Sequence, residues 1–333
     1  MVREKIDIVA TLGPSTQNLI SDLLDAGATA FRLNCSHLTM EQFREWLRKI
    51  DAISVQREQH IPVWLDLQGA KIRIGELIQP IMVNEGARVT FVFNAKQEDE
   101  RIPLPHKEIF DTIVKGDEIS IDDGRVILTS EIIRDNSFTA IVTTGGQLNS
   151  FKGFNKAHYH DYLREISPRD LAFINATYNI SSIGYAISFV QTPDELELIR
   201  KYTHNRPVIC KIERLRTFSR LIDLALLSDG LWLCRGDLGV EANIYNLFEF
   251  EKIFIQNLNK IDKPYLIAGQ VLEHMVRNSQ PSRSEVAHLG YLIENGFHGA
   301  VLSDETAIGD DPVKAVQFCD RFFHHLQSIH IQK

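Results

Sequence analysis

The strongest constraint on the fold of this chain is the alternation of short apolar runs with longer amphipathic segments. Eight β-branched runs predict strands at 6–13, 29–36, 62–69, 182–190, 207–213, 229–237, 264–270 and 299–305. Helical periodicity occurs at 17–26, 40–58, 168–178, 193–204, 214–227, 245–259, 282–295 and 312–328. Strands that alternate with helices pair in parallel, and eight such units favour a closed (β/α)8 TIM barrel.

One connection departs from this alternation. Between Gly75 and Gly153 the runs ARVTFVF, EISIDD, RVILTSEII and FTAIVTT follow one another without a helical pattern. They predict a small all-β domain inserted after strand three, at 76–153, and a barrel formed by 1–75 and 154–333. The barrel then has about 255 residues, close to the ~250 that are typical of this fold.

Composition narrows the possible functions. The net charge of -8 offers no basic surface for nucleic acid or anionic membranes. The four cysteines form no CxxC pair, which argues against a disulfide framework or a zinc site and fits a reducing compartment. No segment reads as a signal peptide or a membrane span. We therefore expect a cytoplasmic protein with neither nucleic-acid nor membrane partners.

Polar residues recur at the ends of five predicted strands. They are Arg32, Asn34 and Ser36, then Asp66, then Lys211 and Glu213, then Arg235 and Asp237, and finally Ser303 and Glu305. Alternate residues of a strand share a face, and such barrels build their active sites at the carboxyl ends of the strands. Buried charges are costly unless they are paired or bound to a metal. The pattern predicts an active site; ion pairs that close the barrel top are the alternative.

Four of these residues indicate a type of chemistry. Glu213 and Asp237 offer hard oxygen ligands, which suit Mg2+ with room for water and phosphate oxygens. Arg32 and Lys211 supply positive charge for a phosphoryl group in transfer. We therefore expect a magnesium-dependent site for phosphoryl transfer.

Several segments carry a family resemblance. They are VATLGPST, FRLNCSH, LDLQGAKIR, SIDDG, ISFVQ, CKIE, SDGLWLCRGDLGVE, AGQVLEHM, PSRSEVA and LSDETAIGDDPVKAV. In sequence and order they resemble the motifs of the pyruvate kinase family, over nearly all of 5–330. RGDLGVE and LSDETA are the most specific. The resemblance implies Mg2+ or Mn2+ as cofactor and ATP or ADP as a substrate.

The resemblance also implies residue roles. The catalytic residues it implies are Arg32, Asp66, Arg73 and Lys211, and the metal ligands are Glu213 and Asp237. The substrate-binding residues are Cys234, Arg235, Gly236, Asp237, Gly269, Ser303 and Glu305. Asn34, His37, Arg73 and Lys152 resemble nucleotide-contacting positions. The inserted domain resembles a mobile lid, which brings Asp122 or Asp123 to the site when closed.

One departure from the common pattern bears on the monovalent cation. In many members Asn34, Ser36 and Asp66, with a following Thr and a nearby Glu, would bind K+. Here Leu67 and Lys71 stand at the last two positions, as in a subgroup of the family. The ammonium of Lys71 can replace the ion beside Ser36, so we predict that K+ is not required. An exposed lysine without a role is the alternative.

Other departures concern the acceptor and the chain length. The usual Ala-Thr-Gln of strand seven reads Ala268-Gly269-Gln270, and Asp304 replaces a Gly. Three explanations are open. Water handles proton exchange at the substrate carbon, or the acceptor is not pyruvate and needs the space at Gly269, or Gly269 only relaxes a tight loop. The C-terminal regulatory domain of the family is expected to be absent.

Three functions remain open from the sequence. The leading one moves phosphate between phosphoenolpyruvate, or a related small carboxylate, and ADP or ATP. The second is a metal-dependent enolate lyase or decarboxylase on the same scaffold. The third is a non-catalytic relic that binds ligand. The expected partners are a small carboxylate and a nucleotide, and a homodimer through barrel surfaces is left open.

Overall fold

A computed structural model describes residues 6–69, 72–122, 124–156, 166–241 and 244–331. The strands are β1 (Asp7–Thr11), β2 (Ala30–Asn34), β3 (Val63–Leu67), β4 (Ile81–Val83), β5 (Arg88–Val92), β6 (Ile102–Pro103), β7 (Glu118–Ile121), β8 (Val126–Arg134), β9 (Ser137–Thr144), β10 (Gly146–Leu148), β11 (Phe154–Lys156), β12 (Ile183–Ile187), β13 (Val208–Ile212), β14 (Gly230–Cys234), β15 (Tyr265–Ala268) and β16 (Gly299–Leu302). The helices are α1 (Ile20–Asp25), α2 (Met40–Arg57), α3 (Lys107–Thr112), α4 (Pro168–Thr177), α5 (Pro193–Arg200), α6 (Leu221–Leu227), α7 (Arg235–Glu241), α8 (Leu247–Asn257), α9 (Arg283–Glu294), α10 (Asp304–Ala307) and α11 (Pro312–Ile331).

Eight strands form a closed barrel, in the order β1, β16, β15, β14, β13, β12, β3, β2. Every neighbouring pair in this ring is parallel. The predicted (β/α)8 barrel is therefore confirmed, together with all eight of its predicted strands. None of the described helices combines the length and apolar character that a membrane span requires.

All eight predicted barrel strands run past the observed ends by one to three residues, and at two of them the excess residues lie in helices. Strand β14 ends at Cys234 and β16 ends at Leu302, and helices α7 and α10 follow at Arg235 and Asp304. Each helix has acidic residues in its first turn, where free backbone N–H groups and the helix dipole favour negative charge. Arg235 and Asp237, and likewise Ser303 and Glu305, therefore do not share a strand face.

Capping residues fix where the helices around the barrel begin. At α2 the Thr39 hydroxyl accepts from the Gln42 N–H at 3.2 Å, and the Gln42 side chain accepts from the Thr39 N–H at 2.9 Å. At α4 the Ser167 hydroxyl accepts from the Asp170 N–H at 3.0 Å. These bonds satisfy N–H groups that have no partner within the helix.

The barrel interior is built in two layers. The lower layer is apolar and consists of Val9, Ala30, Trp64, Ala186, Ile209, Trp232, Leu266 and Val301. The upper layer lies two residues further along the chain and consists of Thr11, Arg32, Asp66, Ser188, Lys211, Cys234, Ala268 and Ser303. Six of these residues are still in their strands and so share the face of the lower layer, whereas Ser188 and Ser303 directly follow β12 and β16. Cys234 and Ala268 also pack in the apolar cluster. The rings of Trp64 and Trp232 meet edge to face at 6.2 Å. Gly184 leaves room for Trp64, because a Cβ there would lie 2.3 Å from that ring.

A second compact unit comprises Ala70–Asp161 and Asp237–Asn246, whereas the barrel unit comprises Met1–Gly69, Tyr162–Gly236 and Leu247–Lys333. The second unit has a six-stranded sheet, β11-β7-β8-β9-β5-β6, and a two-stranded sheet, β10-β4. Its core includes Phe91, Phe138 and Phe154. The four strands predicted in this segment are confirmed; four shorter strands and α3 were not predicted. The limits 76–153 stay a prediction.

Candidate active site

Three charged side chains of the upper layer, Arg32, Asp66 and Lys211, meet Glu213, which follows strand β13. Arg32 Nε donates to Asp66 Oδ2 at 2.7 Å, and Lys211 Nζ donates to Asp66 Oδ1 at 3.0 Å and Oδ2 at 3.1 Å. Lys211 Nζ also lies 2.9 Å from Glu213 Oε1. Asp66, Lys211 and Glu213 are buried. The structure thus brings together four of the polar residues predicted at the strand ends.

This charge cluster controls the ionisation of its members. Burial raises the pKa of Asp66, but the charges of Lys211 and Arg32 outweigh it and lower that pKa to about 2. Burial lowers the pKa of Lys211, but Asp66 and Glu213 outweigh that effect and raise it above its usual value. Two cations and two carboxylates therefore balance in a site where an unpaired charge is costly.

Two residues of this layer were missed in the sequence. The Ser188 hydroxyl accepts from Lys211 Nζ at 2.9 Å and lies 3.1 Å from Asp66 Oδ1. The Thr11 hydroxyl accepts from Arg32 Nη1 at 2.9 Å and donates to the Leu302 carbonyl at 2.7 Å. Both lie two residues after an apolar interior residue, so the period of two could have found them.

The carboxylate of Glu213 is held by the end of the neighbouring strand. The Phe189 N–H donates to Glu213 Oε2 at 2.9 Å, and Phe189 has a φ of 63°. The Arg214 guanidinium lies 4.5 Å from the centre of the Phe189 ring. A positive φ strains a phenylalanine, and strain of this kind is typical of functional sites.

The turn after β2 gathers three predicted residues. Asn34 Oδ1 accepts from the Ser36 N–H at 3.2 Å, and the His37 N–H donates to the Asn34 carbonyl at 3.1 Å. The Cys35 N–H donates to the Asp66 carbonyl at 3.0 Å. This turn therefore begins directly beside the charge cluster.

Arg235 points towards backbone carbonyls after strand β15. Its guanidinium donates to the Gly269 carbonyl at 2.8 Å and to the Gln270 carbonyl at 2.7 Å. Its Nη1 lies 2.9 Å from His288 Nδ1, and His288 Nε2 lies 2.7 Å from Glu251 Oε1. Arg235 therefore fixes the turn at Gly269, rather than presenting its charge from a strand.

Strand β14 runs directly into helix α7, and the space beside Gly236 at this junction is open. A Cβ at Gly269 would lie 3.2 Å from the Gly236 nitrogen and 3.4 Å from the Arg235 nitrogen. Gly269 has a φ of 82°, and a Cβ at Gly236 would meet no atom within 4 Å. Cys234 is buried, and burial raises the pKa of its thiol well above the usual value. Asp237 lies in the first turn of α7.

Glu305 and Ser303 connect two backbone segments instead of lining an open site. Glu305 is fully buried, and its carboxylate accepts from the Ser303 N–H at 2.7 Å and the Leu272 N–H at 2.9 Å. Burial raises the pKa of this carboxyl, although the backbone hydrogen bonds lower it in part. Glu305 thus ties the end of β16 to the loop after β15.

In the second unit, two predicted nucleotide-contacting residues lie near one another. Arg73 Nη1 donates to the Phe151 carbonyl at 2.7 Å, next to Lys152. Lys152 Nζ lies 2.9 Å from Asp122 Oδ1. Arg73 pairs with Gly153, whose carbonyl accepts from the Asp122 N–H at 3.0 Å. Lys71 and Asp123, which were also predicted, lie outside the described residues.

Comparison with known proteins gives the family. The family model for the pyruvate kinase barrel domain matches residues 3–316. A pyruvate kinase from Methylorubrum extorquens is 32% identical over 326 residues, which cover 96% of this chain and 68% of that protein. The chain belongs to the pyruvate kinase family. A second pyruvate kinase, from Thermococcus litoralis, is 31% identical over 94% of this chain and 68% of its own length.

The fold comparison agrees with the pyruvate kinase assignment. The crystal structure of a pyruvate kinase from Cryptosporidium parvum superposes with a TM-score of 0.84 at 27% identity, over 97% of this chain and 69% of that one. The chain is therefore a pyruvate kinase-like phosphotransferase that spans about two thirds of the length of these relatives.

Proposed function

We propose that this enzyme transfers the phosphoryl group between phosphoenolpyruvate and ADP, with Mg2+ as its metal. The observation that carries the proposal is the buried cluster of Arg32, Asp66, Lys211 and Glu213 at the carboxyl ends of the barrel strands. It combines positive charge for a phosphoryl group with a carboxylate for a metal, in the place where such barrels act on substrates.

Asp66 holds both cations of the cluster, with Arg32 on Oδ2 and Lys211 on both carboxylate oxygens. Its pKa of about 2 keeps it ionised at neutral pH, so Arg32 and Lys211 stay charged and fixed. Charges that are fixed in advance stabilise a developing negative charge without reorganisation. In our proposal Lys211 and Arg32 therefore bind the phosphoryl oxygens during transfer.

The proposed magnesium ion would take only one or two of its ligands from the protein. In the described part of the chain, no group of three or more His, Cys, Asp or Glu side chains could hold a metal. Mg2+ in phosphoryl transfer is usually held by one or two carboxylates, with water and substrate oxygens in the other positions. We assign Glu213 and Asp237 to this role. When bound, the ion neutralises charge on the phosphate and on the enolate oxygen.

We assign the nucleotide to Asn34 and His37 on the turn after β2, and to Arg73 and Lys152 in the inserted unit. The ion pair between Lys152 and Asp122 supports this assignment, because it gives the lysine a partner that phosphate oxygens can replace. The inserted unit acts as the lid in this proposal. A lid that excludes water protects ATP from hydrolysis.

Steady-state formation of ATP from phosphoenolpyruvate and ADP tests the proposed function. We expect turnover that depends on Mg2+. Absence of ATP, combined with oxaloacetate decarboxylation that depends on Mg2+, would instead support the lyase. Absence of both reactions would support a binding protein.

The same assay tests the independence from K+. We propose that the Lys71 ammonium replaces the ion, so the enzyme should turn over equally with and without K+. Lys71→Glu should lower the rate without K+ and regain part of it when K+ is added. A Lys71→Glu enzyme that ignores K+ and keeps the normal rate would contradict the role of Lys71.

The acceptor side is the second property to test. A Cβ on Gly269 would lie only 3.2 Å from the Gly236 nitrogen, so this position is confined to glycine and the acceptor side lacks the threonine side chain of the usual pattern. We propose that the site accepts 2-oxo acids with a substituent on carbon three. A phosphoenolpyruvate with a methyl group on that carbon should react, and Gly269→Ala should lower its kcat/KM about tenfold more than that of phosphoenolpyruvate. An equal decrease for both substrates would exclude the idea.

A further inference from the structure

Two adjacent residues at the start of α4 hold two loops of the barrel unit. Asp170 is buried, with Oδ1 accepting from the Gln68 N–H and Oδ2 from the Gly69 N–H, both at 3.0 Å. These amides belong to the last two barrel residues before the chain enters the second unit. Both oxygens of one carboxylate are therefore used to fix the point where the chain leaves the barrel.

Arg169 holds the other loop, the turn after β2. Its Nη2 donates to the Cys35 carbonyl at 2.8 Å and to the Leu38 carbonyl at 2.6 Å, and its Nε donates to the Cys35 carbonyl at 3.2 Å. The guanidinium also lies 5.6 Å from the centre of the Phe173 ring, one turn along α4. A rigid guanidinium that binds two carbonyls and rests on a ring fixes the loop on both sides of His37.

Gly69, the last residue before the chain leaves the barrel unit, also packs against Ser188, which contacts the charge cluster. Gly69 has a φ of 61°, and a Cβ there would lie 2.1 Å from the Ser188 carbonyl, so no other residue fits. The side chain of the same Ser188 contacts Asp66 and Lys211. The contacts thus run from Asp170 through Gly69 and Ser188 to the catalytic cluster.

We propose that Arg169 and Asp170 are positioning residues that set the affinity for the nucleotide. The inference rests on the proposed function, which assigns four residues to the nucleotide. Asn34 and His37 lie on the turn that Arg169 holds, and Arg73 and Lys152 lie on the chain that follows the segment held by Asp170. The residues assigned to Mg2+ and to the substrate carboxylate lie on or after strands β13 to β15, whereas Arg32, assigned to the phosphoryl group, lies on β2. Arg32 is held by Asp66 and Thr11 and not by Arg169 or Asp170, so the pair should act mainly on the nucleotide.

Asp170→Asn and Arg169→Gln test this inference. Asp170→Asn places an amide NH2 or an uncharged oxygen against two N–H groups, and Arg169→Gln removes the fork that binds the carbonyls. Each variant should raise the KM and the Kd for Mg-ADP about tenfold, while the KM and Kd for phosphoenolpyruvate change by less than about twofold. Arg206→Gln is the matched control, because Arg206 donates to the Tyr178 carbonyl at 3.0 Å, away from both loops.

Hydrogen exchange separates this inference from the proposed function and from a folding defect. The amides of Gln68 and Gly69 should exchange at least about tenfold faster in Asp170→Asn, while those of the β13–β16 strands are unchanged. A wild-type enzyme that makes no ATP would overturn the proposed function. The positioning role would then still be decided by comparing the Kd for Mg-ADP between wild type and the two variants. Unchanged affinity for Mg-ADP, or an equal loss for both substrates, would overturn it.

Discussion

The two layers of side chains inside the barrel come from the same strands, two residues apart, and differ completely in chemistry. The lower layer packs Trp232 against Trp64 and aliphatic neighbours, with no charged group among them. The upper layer, together with Glu213 directly beyond it, holds two cations and two carboxylates within hydrogen-bonding distance. We expect the lower layer to provide stability and the upper layer to provide the chemistry, because its ionic groups are held at a cost in desolvation.

The largest effect should come from removing one cation of the upper layer. Lys211→Met should lower kcat about 10^3- to 10^5-fold, because it removes positive charge from the proposed path of the phosphoryl group. Binding of Mg2+ should stay measurable. Lys252→Met, on the exposed face of α8, is the control and should keep the wild-type rate. Near-normal turnover by Lys211→Met would show that Lys211 takes no part in phosphoryl transfer and that the chemistry does not depend on this charge of the upper layer.

The next effect concerns the lower layer. Trp232 is 1% exposed, so Trp232→Ala should lower the free energy of unfolding by about 3–5 kcal/mol, through lost packing and the cavity left behind. Phe248→Ala is the control, because Phe248 is 69% exposed and its loss should change stability by about 0.5 kcal/mol or less. Chemical denaturation measures both. Similar values for the two variants would show that the lower layer does not carry the stability.

The smallest effect is the acid dependence of the upper layer. The pKa of Asp66 is lowered from 3.8 to about 2, so its ionised form stabilises the folded state above pH 4. That contribution, about 2 kcal/mol, should be lost as the pH falls from about 4 to about 2. The difference in unfolding free energy between wild type and Asp66→Asn should therefore shrink over this range. A difference that stays constant with pH would show that Asp66 is not stabilised in its ionised form.

Much of the fold was predictable because its signals are periodic. The barrel strands each have a core of about five apolar or alternating residues, long enough for a pattern to show. Helices α7 and α10 have seven and four residues, too few for a helical period, so the sequence pattern extends the strands over Arg235 and Asp304. The short strands of the inserted unit were missed for the same reason.

The site was predictable where the barrel geometry alone determines it. Arg32, Asp66, Lys211 and Glu213 meet because parallel strands in a closed ring bring their carboxyl ends together. The contacts of Arg235 and Asp170 depend instead on the path of loops, such as the positive φ of Gly269 and Gly69. No pattern of residue types predicts which carbonyl or amide a loop will present.

The proposed function depends on one claim, that the upper layer transfers a phosphoryl group between phosphoenolpyruvate and ADP. The most direct test is a rapid-quench measurement of the first turnover, with saturating substrates and Mg2+, for wild type and Glu213→Gln. Wild type should form about one equivalent of ATP per site, and Glu213→Gln should be slower by at least about 10^2-fold. No ATP from wild type with both substrates bound, or equal rates for the two proteins, would contradict the claim.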